Sequence, residues 1–192
     1  MFPERLTEGY KAFVAARLPR ERERFEELAA SGQKPEIMVI GCCDSRVSPE
    51  VIFDARPGEL FVVRNVANLV PPYESGGEYH GTSAALEFAV QALRVKHIVV
   101  LGHGRCGGIR AFADSSTAPL SPGDFIGKWI NLVTPADHGN AVGVVHILRR
   151  RHLLGQQGTG VAVGALVAMD RSYTSRYPRH DYYRPKYSYR RS

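Results

Sequence analysis

The chain has 192 residues, 44% of them apolar and 23% charged, with a net charge of +6. That length suits one domain with its own buried core, and no apolar stretch approaches the roughly 20 residues that cross a bilayer. The charge does not point to a polyanionic partner for the main domain, because residues 171–192 carry six Arg, one Lys and one Asp, while residues 1–170 balance 18 basic against 18 acidic side chains.

Residues 4–30 read as a helical arm, with Leu6, Tyr10, Phe13, Val14 and Leu18 recurring at helical spacing. Pro19 divides the stretch, since proline fits a first helical turn better than an interior. Ser31 to Pro35 ends it. Ile37 to Ile40, Phe61 to Val63 and His97 to Leu101 are wholly apolar or nearly so, as suits strands buried on both faces. Between the last two lies a helix from Gly81 to Leu93, with Thr82 or Ser83 as its expected cap. The order helix, strand, loop, strand, helix, strand predicts an α/β fold, a mainly parallel β-sheet flanked by helices with an N-terminal helical arm. Asp124 to Ile130 reads as a short helix start, and Val142 to Leu148 as a further helical stretch. Val161 to Val167 is apolar but rich in Gly and Ala, and no further strand is read after Pro135. One domain is expected over residues 1–170. Residues 171–192, with six Tyr and six Arg and no period, read as an irregular basic tail.

The reactive residues follow two of the strands, where sites of open α/β sheets form. There are three cysteines, Cys42, Cys43 and Cys106. An odd count, with no basic and apolar leader after Met1, argues against a disulfide framework and for the cytoplasm. Zinc favours thiolate and imidazole ligands, and three protein ligands leave a fourth position open, the mark of a catalytic site. His103-x-x-Cys106 can place two ligands from one loop, with a third from the Cys42-Cys43 pair. Spacing alone does not choose between those two, although neighbouring side chains on an extended segment point apart, so only one reaches the metal. The same alternation places Asp44 and Arg46 on the side of Cys42, and a nearby Arg lowers a carboxylate pKa. A phosphate-cradling reading of the Gly102 to Gly108 loop lacks the Lys-Ser/Thr of a P-loop.

The segments GCCDSRVSPEVIFDARPGELFVVRNVANLVPP at 41–72, YHGTSAALEFAV at 79–90, KHIVVLGHGRCGGIRA at 96–111 and DFIGKW at 124–129 resemble beta-class carbonic anhydrases. The resemblance covers about residues 4–135 and rests on C-x-D-x-R and H-x-x-C-G-G in that order. It implies a carbonic anhydrase, a zinc hydro-lyase that reversibly hydrates carbon dioxide to bicarbonate and a proton by zinc-bound hydroxide. It implies one Zn2+ per chain on Cys42, His103 and Cys106, which settles Cys42 over Cys43. Asp44 and Arg46 match the catalytic dyad, and Gln33, Phe61 and Val66 match substrate-contacting positions. Phe88 falls where some members carry tyrosine, and Arg64 matches an arginine near the subunit contact. A homodimer or tetramer is expected, without a membrane or nucleic-acid partner. Family members also end in a further strand and helix, where this sequence turns instead to Arg, His, Gly and Tyr.

Overall fold

The computed structural model describes residues 2–71, 80–114 and 118–134, and the backbone of 163–170. The readings of Val142 to Leu148 and of the 171–192 tail lie outside the described residues. Two compact units divide the chain, Met1–Lys34 and the residues from Pro35 onward.

The first unit is helical from Glu4 to Ser31, with α1 (Glu4–Ala12) passing through a π-turn at Phe13–Arg17 into α2 (Leu18–Ser31). Pro19 therefore does not break the helix. It sits in the first turn of α2, directly after the π-turn, where proline is tolerated. Gly32, at φ 73°, ends α2 in a conformation that only glycine adopts without strain.

The second unit is built on strands β1 (Ile37–Cys42), β2 (Leu60–Asn65), β3 (His97–His103) and β4 (Val163–Asp170), in the order β2-β1-β3-β4. β1 runs parallel to both β2 and β3, and β4 is antiparallel to β3. The three apolar runs thus form the parallel part of the sheet. The fourth strand corrects the expectation that none follows Pro135. Its stretch carries Gly164, Ala165 and Ala168 among β-formers, a composition that long-range pairing with β3 overrides.

α3 (Pro49–Ile52) follows β1, and α4 (Gly81–Glu87) continues as a π-turn at Phe88–Ala92. One core cluster gathers Met38, Ile40, Ile98 and Val100 of the sheet with Ala89 and Val95. A second gathers Cys42, Val47, Ala67, Leu69, Cys106 and Val133 at the carboxyl end of the strands. α5 (Gly107–Ala113) and α6 (Phe125–Ile130) contribute Ile109, Phe112 and Trp129 to its margin. Asp124 caps α6, its carboxylate accepting from Gly127 N at 3.2 Å. Thr82 and Ser83 do not cap α4. The buried Thr82 hydroxyl instead accepts from Asn65 Nδ2 at 3.2 Å, tying the helix start to the end of β2.

Candidate metal centre

β1 ends on Cys42 and β3 on His103, and the two strands are parallel neighbours with Gly41 opposite Leu101. Strand pairing alone therefore delivers both residues to one edge. Cys106 is added by the turn after β3, at the position that caps α5. One ligand atom from each of Cys42, His103 and Cys106 lies within 4.8 Å of the others, and the two sulfurs are 3.9 Å apart. All three residues are at least 95% buried. Cys43 is exposed.

His103 Nδ1 stands 3.0 Å from Gly104 O. A carbonyl only accepts, so Nδ1 carries the hydrogen, and in the neutral ring Nε2 keeps its lone pair. That Nε2 is buried and has no hydrogen-bond partner among the described residues. A buried acceptor left open costs free energy unless something fills it. Nδ1 fixed by a carbonyl and Nε2 left to bind is the usual arrangement of a ligating histidine.

The thiols share protons unequally. The neighbouring Cys106 S–H holds the Cys42 thiol down to about 4, against the effect of burial, with the main-chain amides of Asp44 and Ala67 assisting. Cys106 is pushed well above the ordinary thiol range by Cys42 and then by burial. Of the pair, Cys42 is the thiol that more readily gives up its proton.

Asp44 and Arg46 meet through a turn, because β1 stops at Cys42 and the backbone bends at Cys43. The alternation expected of an extended segment does not place them. Instead Asp44 Oδ1 accepts from the Arg46 main-chain N–H at 3.0 Å, an Asx-type turn. Arg46 Nε then donates to Oδ1 at 2.8 Å and Nη2 to Oδ2 at 2.7 Å, a two-point pair. Arg46 Nη2 also reaches Arg105 O at 3.3 Å, joining the two site loops. The guanidinium holds the Asp44 carboxyl well below the usual carboxylate range. Asp44 Oδ2 lies 4.0 Å from His103 Nε2, beside the cluster.

A family model for carbonic anhydrase matches residues 37–152 of the chain. Beta carbonic anhydrase 5, chloroplastic, of Arabidopsis thaliana is 43% identical over 125 residues, 65% of this chain and 40% of that protein. Beta carbonic anhydrase 3 of the same plant is 39% identical over 135 residues, 69% of this chain and 51% of that protein. The chain belongs to the beta-class carbonic anhydrase family. It spans about half the length, or less, of these two relatives. Among solved structures, a tetrameric beta-carbonic anhydrase of Sordaria macrospora superposes with a TM-score of 0.58 at 33% identity, over 70% of this chain and 64% of that one.

Of the positions that match the family's substrate contacts, Val66 packs against the cluster that contains Cys42 and Cys106. Phe61 and Phe88 do not join it. Their rings meet each other, with centroids 5.9 Å apart, and Phe61 packs on the Met38–Ile40 cluster. Phe61 pairs with Met38, four residues before Cys42 on β1, a separation of about 13 Å along a strand. Gln33 is exposed and belongs to the N-terminal unit.

Family resemblance gave no role to Ala67 and Asn68 of the turn Val66–Asn68, which are left-handed (φ 66° and 46°) yet buried. Trp129 Nε1 donates to Val66 O at 2.8 Å. Gly108 packs against the same turn, and a Cβ there would stand 2.9 Å from both Ala67 Cβ and Val66 Cγ1. Gly108→Ala is expected to cost about 1–3 kcal/mol in urea unfolding, the scale of overpacking a well-filled core. An unchanged midpoint would show that the turn yields freely.

Proposed function

We propose that the chain catalyses the reversible hydration of carbon dioxide to bicarbonate and a proton, with one zinc ion held by Cys42, His103 and Cys106. The observation that carries this reading is the buried Cys-His-Cys cluster, with His103 Nε2 unpartnered, set against an ion-paired Asp44–Arg46. The donor set fits the ion: two sulfurs and one imidazole suit zinc, and three protein donors are the catalytic count. When bound there, zinc supplies Lewis acidity and makes a water molecule acidic near neutral pH.

The chain's own residues do the remaining work. Arg46 keeps Asp44 ionised, so the carboxylate can only accept a hydrogen bond at working pH. It thereby orients the attacking oxygen. Val66, Ile109 and Phe112 surround the buried cluster with apolar surface, which suits an uncharged, apolar substrate. Gln33, Phe61 and Phe88 are proposed as further substrate contacts. Phe61 and Phe88 lie away from the cluster of their own chain, and they are proposed to serve that of another copy.

A homodimer or tetramer is proposed on that ground, and on the exposed apolar side chains Leu6, Tyr10, Phe88, Leu120 and Phe125. The tetrameric Sordaria relative supports it. Residues 1–170 are proposed to act as one domain with 171–192 appended. A buried thiol pair kept for metal suits a reducing compartment, the cytoplasm by proposal. Among the described residues no helix is long and apolar enough to cross a membrane.

The deciding experiment is zinc content with stopped-flow hydration of carbon dioxide, on protein whose mass is measured in solution. About one zinc per chain with hydration that is lost on chelation supports the reading. A folded protein without zinc overturns it. The thiol pair gives a second expectation. Ultraviolet thiolate absorbance of metal-free protein should show one thiolate per chain at neutral pH, protonating as the pH falls to about 4. Thiolate that appears only near the ordinary cysteine value, about 8.5, would show that the two sulfurs do not share a proton.

A further inference from the structure

Arg64 is the one charged member of β2, and a half-buried guanidinium needs partners. It finds them on the main chain of the site loop. Nε donates to Cys42 O at 2.8 Å and Nη2 to Asp44 O at 2.7 Å. Arg64 stands opposite Gly41 in the β1–β2 register. A Cβ at Gly41 would come within 3.3 Å of Pro49 Cγ and 3.9 Å of Arg64 Cγ, so the arginine stem passes over the glycine to reach the loop. Cys43 N–H donates to Asn65 O at 2.9 Å, and Val47 N–H adds to Asp44 O at 3.1 Å.

We infer that Arg64 is a positioning residue for the metal centre, its single guanidinium spanning the carbonyls of Cys42 and Asp44 and so fixing the carboxylate relative to the ligand sulfur. The backbone dihedrals of Cys43 and Asp44 lie between those two carbonyls. Outside a strand ladder nothing regular sets them, and a rigid fork on both carbonyls removes their freedom. Arg46 fixes where the Asp44 carboxylate points, and Arg64 fixes where its backbone sits. Lysine keeps the charge and the stem but presents one nitrogen, which does not reproduce the fork. The inference rests on the proposed metal role of Cys42.

The test compares wild type, Arg64→Lys and Arg64→Met as metal-free proteins. Zinc affinity is read by competition with a chromophoric chelator, Co2+ coordination by its visible spectrum, and folding by circular dichroism. Partners behind a metal ligand are worth about 10–100-fold in affinity. Both variants should fold, bind zinc weaker by about that factor, and show displaced thiolate-to-cobalt bands, with Lys closer to wild type than Met. A purely structural arginine would lower the melting midpoint and leave the cobalt spectrum alone, and that result overturns the inference. Loss of folding in both variants does the same, since Arg64 would then serve the sheet rather than the site. Wild type that takes up no metal overturns the metal-centre reading and this inference together. Wild-type binding with unaltered variants overturns the inference alone.

Discussion

Cys106→Ala is expected to lose zinc during purification and with it all hydration above the uncatalysed rate. Structural zinc sites bind the ion with roughly 10–16 kcal/mol, which sets the scale here. Losing one of three protein ligands should forfeit on the order of a third, which weakens binding by about 10²–10⁴-fold. Cys43 is exposed and does not join the buried Cys42-His103-Cys106 group. Cys43→Ala is therefore the matched control and should keep one zinc per chain. Elemental analysis after dialysis against a weak chelator checks both. Cys106→Ala that retains stoichiometric zinc would place the metal elsewhere. Loss of zinc from Cys43→Ala would show that the exposed thiol, not Cys42, belongs to the centre.

Asp44→Asn is expected to keep its zinc and lose about 10²-fold of the hydration rate, the scale of misplacing a reacting group. The substitution preserves shape but gives Arg46 a neutral partner and puts a donor where only acceptors stood. The pH dependence follows from the sign of the shift. Arg46 holds the folded carboxyl below its ordinary value. The stabilisation from this pair is complete above about pH 4 and disappears as the pH falls through the depressed folded value. Asp44 is ionised throughout the neutral range, so an acid limb of activity near neutrality in the wild type cannot be its titration. The same limb in Asp44→Asn at reduced height is the expected profile. A wild-type rate in zinc-replete Asp44→Asn would remove the carboxylate from the chemistry.

How far the sequence showed this centre depends on which force placed each group. Cys42 and His103 were legible because wholly apolar strands announce themselves, and a parallel sheet sets their ends side by side. Alternation suggested Asp44 and Arg46 as neighbours, but for a different geometric reason. A side-chain acceptor for the Arg46 amide bends the chain before alternation can act. Thr82 read as a cap because its type favours caps, whereas the half-buried amide of Asn65 claims its hydroxyl. The fork of Arg64 had only a faint signal, a charge at the end of an apolar strand, which says that partners exist but not which. β4 was missed because small residues dilute its pattern, and its partner lies some sixty residues upstream.

That fourth strand changes what a shortened chain would mean. β4 begins opposite His103 and Gly102 and runs back to His97, so β1 and β3, which carry the proposed ligands, both lie inside the sheet. Were the chain cut before Val163, β3 would become a margin, its free amides and carbonyls running up to the histidine itself. Such margins recruit other strands and fray from their ends. The ligand geometry is therefore guarded by residues that contribute nothing to it chemically, and a fragment bearing every proposed ligand would still hold its histidine on an unsupported backbone.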